Sequence, residues 1–497
     1  MTTAPTPRPR PLPLPPARRR PLAAGLPATQ PATQPAARPS ARPGSPAAPP
    51  APPAPPPGRP PLWDRRFTLY FTARAVSLLG DAMMPVAAAL AVGALYGVSG
   101  VGFVLGTWTA TVVALVLFGG VLADRIGARR MMVGADLARV LTQGVLAAAF
   151  LAGPPPFWLL VTMAALAGAA TAMFQPGVNG MVPLVAREPQ RANATLKVAD
   201  ALAQLLGPAL AGLLITLAGA GTVYAIDAGT FLVSALCLAL VRVGTRTGAD
   251  SPGRGGGSFR SDLRQGWQEF RARTWMWAVI LIWVGYGVLL FGPLVPLASA
   301  LVGTRLGPDA YGLAVSFLGV GTVLGGLLAL RLRPARPLAA GAAAMVLYAV
   351  LPLGVGLGAG LPVLLVCHVL GGGAWAFWSV MWATSVQTHT PPAVLNRVTA
   401  YELAGSVSGI ALGQILAGPA TALASPAHLL LVSALACLAG CVALFAIPAI
   451  RTLPAVAPAV APAVVPAVVP ADGEAGDEVD GRPGGGAGGG PDGPADR

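Results

Sequence analysis

Charge is what this sequence has least of. Only 10% of its residues are charged, against about 25% in a typical soluble domain, which excludes an ordinary water-soluble fold. Lysine is nearly missing: Lys197 stands alone among 33 basic residues, so the net charge of +14 rests on arginine. Where those arginines lie therefore matters more than their number. Histidine (3) and cysteine (4) are scarce as well. Cys237, Cys367, Cys437 and Cys441 form no CxxC pair and sit inside apolar runs, which points to small buried hydrophobes rather than a metal site or disulfide framework. No GxxxxGKS/T phosphate loop is present, so ATP is not expected to drive this chain directly. HExxH and GxSxG are also missing, and neither an enzyme nor a cofactor is expected. The basic residues lie at the edges of apolar runs rather than on a soluble face, which argues against nucleic acid as a partner.

Apolar length is what the chain has instead. It is 54% hydrophobic, with a mean hydropathy of +0.66. Residues 1–62 form a Pro/Ala/Arg tract that cannot bury enough surface to fold and is expected to be a disordered tail. No apolar core follows its arginines, so it does not read as a signal peptide. Residues 451–497 form a second tail, with Pro-Ala-Val repeats followed by an acidic, glycine-rich end. Between the tails, runs long enough to cross a bilayer recur at approximately 67–97, 99–123, 131–152, 157–180, 193–219, 222–243, 275–302, 310–332, 337–358, 361–386, 398–423 and 427–449. They are continuously apolar rather than alternating, so these twelve spans are predicted to be helices and not barrel strands.

Arginine placement orients the spans. Arg125, Arg129 and Arg130, Arg187 and Arg191, Arg331, Arg333 and Arg336, and Arg397 all fall on the side of both tails, with Arg305 alone on the other. The positive-inside rule makes both termini cytoplasmic, in a multi-pass protein of the plasma membrane. Residues 244–273 form a linker in which Phe259, Leu263, Trp267 and Phe270 recur at helical spacing among arginines, a pattern suited to an amphipathic helix on the inner leaflet.

Six spans precede the linker and six follow it. Gly120-Val-Leu-Ala-Asp-Arg125 aligns with Gly326-Leu-Leu-Ala-Leu-Arg331. The same offset of 206 residues carries Gly207-Pro-Ala-Leu-Ala-Gly212 onto Gly413-Gln-Ile-Leu-Ala-Gly418, and Arg191 onto Arg397. The chain therefore reads as a tandem duplication: an all-α membrane protein with twelve transmembrane helices in two pseudo-symmetric six-helix bundles, 63–243 and 274–450. A ligand site is expected between the halves near midplane, in a protein read as a monomer.

The stretch Gly119-Gly-Val-Leu-Ala-Asp-Arg-Ile-Gly-Ala-Arg-Arg130 resembles the loop 2–3 signature of the major facilitator superfamily. The resemblance implies a cytoplasmic latch built from Gly120, Asp124, Arg125, Gly127, Arg129 and Arg130, with Asp124 facing a helix N-terminus. Ala128 stands where a basic residue is usual, and Leu330 replaces the acid in the second half. The run containing Gly207, Pro208 and Gly212 resembles the motif of the superfamily's antiporters, and it equally suits any tightly packed membrane helix. Ser77-Leu-Leu-Gly-Asp81, Phe174-Gln-Pro-Gly177, Asn193-Ala-Thr195 and Asp262-Leu-Arg-Gln-Gly-Trp267 are similar to the macrolide-efflux and siderophore-exporter branch. That branch implies proton-driven efflux of an amphipathic small molecule such as a drug, antibiotic or siderophore by alternating access. Import of a small nutrient and a non-transporting scaffold are the other readings.

Ionisable residues inside spans are functional candidates because they are costly there. Asp81 and Arg74 share a face of span 1, and Asp81 is the leading proton-coupling candidate, against a permanent structural pair with Arg74. Glu402 near the inner end of span 11 and Asp227, placed nearer the outer face of span 6, are further candidates. Asp136 with Arg139, and Lys197 with Asp200, are expected to be local ion pairs. Gln204, Gln414, Trp375, Trp378 and His368 are possible pocket contacts, with packing slightly favoured for the tryptophans and a helix hydrogen bond for His368.

Overall fold

A computed structural model of the chain describes residues 63–186, 188–241, 267–268, 270–390 and 392–455, without the side chains of 117, 119–121, 123–125, 179–180, 392–401 and 403. Both tails and most of the 244–273 linker lie outside the described residues. What is described is helical throughout, with no strand. Continuous apolar sequence gives the backbone no water to bond to, so each segment must satisfy its own amide groups.

Helix α1 spans Arg65–Ile126, α2 Ala128–Ala152, α3 Phe157–Val185 and α4 Pro189–Leu240. The second half has α5 Thr274–Tyr286, a π turn Gly287–Phe291, α6 Gly292–Leu306, α7 Pro308–Arg331, α8 Pro337–Tyr348 and α9 Val350–Gly356. It ends with α10 Leu361–His389, α11 Pro392–Ala420, α12 Pro426–Ala446 and the short α13 Pro448–Arg451. Nine helical runs among the described residues are apolar and long enough to cross a membrane. Two of them, 65–116 and 189–240, have 52 residues each. That is about 78 Å of helix, more than twice a bilayer core. Each folds back on itself at a glycine with positive φ, Gly97 (62°) and Gly219 (77°), a conformation that L side chains resist. Counting those two twice and adding α11 gives the twelve expected crossings.

The turns at Gly97, Gly153, Gly219, Gly307 and Gly358 all have positive φ and all lie at one end of the bundle. Arg305 is at that end too, where its Nη2 donates to the carbonyl of Gly358 at 2.6 Å. The arginine-bearing connections lie at the other end.

Three of the four apolar cores among the described residues follow the same polarity. At the glycine-turn end one core contains residues of both halves, including Met83, Val92, Leu160 and Tyr224 with Leu297, Val302, Tyr311 and Leu430. At the arginine end the cores are separate. Phe67, Tyr70, Met132, Phe174 and Leu238 belong to the first half, and Met276, Trp283, Leu338, Met345 and Trp378 to the second. Among the described residues the halves share a core at one end and keep separate cores at the other.

The sequence repeat occupies equivalent contacts. A Cβ on Gly212 would come within 2.5 Å of the Pro308 carbonyl, just after the Gly307 turn, and one on Gly418 within 2.3 Å of Ser99, just after the Gly97 turn. Gly207 packs on Ala82 of span 1, as Gly413 packs on Gly287 and Val288 of span 7. Pro208 interrupts the amide ladder beside this crossing, and the next amide, Ala209, donates across the halves to Ser316 Oγ at 2.8 Å. Small residues here let backbones approach where lipid supplies no hydrophobic drive between helices.

Candidate functional site

Where the halves part, a cavity of about 370 Å³ opens, within the size range of small-molecule sites. The first half supplies most of its wall: Asp81, Met84, Trp108, Arg139, Gln143, Leu160, Thr171, Asp200, Gln204, Tyr224 and Phe231. The second half adds Val295 and Gln414. Both glutamines anticipated from sequence are in the lining. Thr109 Oγ1 donates to Gln414 Oε1 at 2.8 Å, a hydrogen bond from one half to the other.

Behind the wall lies a charged cluster. Asp136, Arg139 and Gln143 recur at spacings of three and four on α2, so they share one helix face. Arg139 is buried (2% exposed). Its Nη1 stands 3.7 Å from Asp81 Oδ2 and 3.7 Å from Asp136 Oδ1. Its guanidinium lies 4.7 Å from the Phe174 ring centre and 4.9 Å from that of Phe231, a cation–π sandwich that offsets part of the cost of burial. Asp136 Oδ2 accepts from Ser234 Oγ at 2.6 Å. Asp227 Oδ2 accepts from Gln143 Nε2 at 2.7 Å, and its other oxygen lies against Gly80, where a Cβ would come within 2.1 Å.

The expected local pair of Asp136 with Arg139 is present. The alternative reading, a permanent pair of Asp81 with Arg74, is not what the structure shows: two helical turns on one helix is about 10 Å, and Asp81 pairs with Arg139. Arg74 instead stacks over Phe174 at 5.2 Å, and Asp81 is held from α2. Asp227 also departs from its expected outer placement, since Gly80 and Gln143 bring it level with Asp81. Of the acids in this cluster, Asp81 alone lines the cavity, with 40% of its side chain accessible. Asp136 and Asp227 are fully buried.

Several candidates lie elsewhere. Trp378 is core, stacked on Trp283 at 4.6 Å, and Trp375 meets Phe291 edge-on at 5.2 Å. His368 Nδ1 donates to the Leu364 carbonyl one turn back, at 2.7 Å. None of these three lines the cavity: Trp378 and His368 are buried in the packing of the second half, and Trp375 is exposed on its surface. Glu402 accepts a hydrogen bond from the Trp382 indole near the arginine end. In the loop between α1 and α2, Gly127 (φ 92°) makes the expected turn. Arg129 Nη1 donates to the Val241 carbonyl at the end of α4 at 2.9 Å, capping that helix. Arg130 is exposed. The side chains of Asp124 and Arg125, and the surroundings of Gly120, lie outside the described residues.

The sequence profile of the Major Facilitator Superfamily matches residues 70–413. The chain belongs to this superfamily. Among its relatives is macrolide efflux protein A of Streptococcus pyogenes, 24% identical over 168 residues, which are 33% of this chain and 40% of that protein. The Enterococcus faecalis protein of the same name is 24% identical over 168 residues, covering 33% of this chain and 50% of its own. An uncharacterised MFS-type transporter of Bacillus subtilis, YfiS, is 30% identical over 121 residues, 24% of this chain and 28% of that one. The chain thus matches half or less of the length of each of these relatives. Solved structures of the nucleoside transporter NupG (TM-score 0.62, 12% identity, 76% of this chain and 98% of that one) and of a POT family transporter in complex with 5-aminolevulinic acid (0.60, 12%, 77% and 96%) share the fold. Its superfamily and its fold are those of membrane transporters.

Proposed function

We propose that this transporter exports an amphipathic small molecule, of the macrolide kind named for its relatives, in exchange for protons. The carrying observation is the charge count beside the cavity. Asp81 and Asp136 share one guanidinium, Arg139, while buried Asp227 has the neutral amide of Gln143, and a buried charge left unmatched is costly. A proton is the smallest species that restores the balance, and Asp81 is the member of the trio that the cavity reaches. Protonating Asp81 frees Arg139 to pair with Asp136 alone, which couples proton occupancy to the wall of the cavity.

The separate cores at the arginine end support a cleft open on that side. With the arginines placed on the cytoplasmic face of the plasma membrane, and both termini with them, this is the inward-facing state of a monomer. Gly207, Pro208 and Gly212 form the contact about which the halves rock, and Asp124 steadies one state from the loop between α1 and α2. In everted vesicles, acidifying the lumen should drive accumulation of a radiolabelled macrolide, and Asp81→Asn should abolish the response to the gradient. Accumulation indifferent to the gradient, or an Asp81→Asn protein that responds fully, contradicts the proposal. Accumulation on the reverse gradient would instead identify an importer.

A further inference from the structure

Charge in the cavity lining is incompletely matched, and the mismatch falls on a residue whose sequence context suggests only a local pair. Among the described residues, three charged side chains line the cavity: Asp81, Arg139 and Asp200. Arg139 is committed to Asp81 and to Asp136 behind it. Asp200 has only Lys197, 3.8 Å away on the preceding turn of α4, with 84% of the lysine side chain exposed and outside the lining. So open a pair holds weakly. One turn further along α4, Gln204 also lines the cavity, so carboxylate and carboxamide share a face. The opposite wall carries no charge among the described residues. It presents Gln414, only 8% exposed, whose oxygen is occupied by Thr109 and whose amide nitrogen has no hydrogen-bond partner among the described residues. The rest of the lining is mostly apolar or aromatic, including Trp108 and Tyr224, with Thr109, Gln143, Thr171 and Gln175 as neutral polar groups.

We infer that Asp200 is a substrate-selecting carboxylate, which makes the cavity prefer amphipathic molecules bearing one positive charge. The free amide of Gln414 takes a hydrogen-bond acceptor of the same molecule from the opposite wall. The inference rests on the reading of this cavity as the transport site. It assigns Asp200 to substrate and leaves Asp81 to the proton.

Purified full-length protein is tested with radiolabelled tetraphenylphosphonium, a permanent cation, and with tetraphenylmethane, a neutral competitor of the same shape that likewise lacks a hydrogen-bond acceptor. The wild type should bind the cation at least tenfold more tightly than the neutral compound. Asp200→Asn should lose that preference while its affinity for the neutral compound changes less than twofold. Lys197→Ala should keep the preference, because it removes the ion pair and leaves the carboxylate. Equal binding of both compounds by the wild type, no binding of the cation, or a Lys197→Ala protein that matches Asp200→Asn would each overturn the inference. Gradient-driven export in vesicles fails or succeeds independently of this charge preference, so the two readings are separable.

Discussion

Arg139 holds the first half's interior together. It neutralises Asp81 and Asp136 from one position and lies between the rings of Phe174 and Phe231. Removing it strands two carboxylates, one of them fully buried, and should cost roughly 3–5 kcal/mol. Arg139→Met should therefore melt well below the wild type in detergent, and Asp136→Asn in the same background should recover part of the loss. A melt unchanged by Arg139→Met would mean that the cluster contributes little to stability. Gly80 is the second sensitive residue, since any side chain there meets Asp227 Oδ1 and Thr230 Oγ1. Gly80→Val is expected to abolish correctly folded protein at the membrane, as read by fluorescence-detected size exclusion. Asp136, Arg139 and Asp227 could be named from sequence as polar residues in apolar spans. Their partners Gln143, Ser234 and Phe231 could not, because those contacts join helices separated by about a hundred residues of chain. The spacing of Asp136, Arg139 and Gln143 on one face was the available signal.

Among the elements, α4 and α11 carry the repeat that the sequence shows, and they carry it at matched contacts. Gly212 against Pro308 and Gly418 against Ser99 hold the glycine-turn end shut. Opening that end requires both crossings to slide, so a bulky residue at either should favour the opened state or unfold the pair. Gly418→Val should raise labelling by an impermeant thiol reagent of a cysteine introduced at Ser99, relative to the Gly418 parent. Unchanged labelling in a folded protein would show that this crossing is not a seal. The folds at Gly97 and Gly219 were not legible as part of longer helices, since hydropathy counts spans and does not see a backbone angle. The π turn at Gly287–Phe291 was equally hidden, yet it lies where Gly287 and Gly292 pack against Gly409 and Gly413, letting span 7 and α11 approach closely.

For the whole molecule, twelve apolar spans, the duplication and the superfamily were legible because each is written in repeated local pattern. The cavity was less so. Gln204 and Gln414 were anticipated in its wall, and Trp378 and His368 take the packing and helix hydrogen bond favoured for them, although an aromatic stripe by itself reads alike whether it faces a core or a cleft. The latch expected of Asp124 acts at this scale: Asp124→Asn should lower the export rate severalfold while membrane expression stays unchanged, and full activity in that variant would remove the latch from the account. What joins residue, element and molecule is the proposed exchange of substrate for proton in one cleft. Adding a macrolide to weakly buffered, purified wild-type protein should release protons in proportion to the substrate bound, and Asp81→Asn should bind it with no such release. Binding by the wild type without proton release, or equal release from Asp81→Asn, would contradict the exchange.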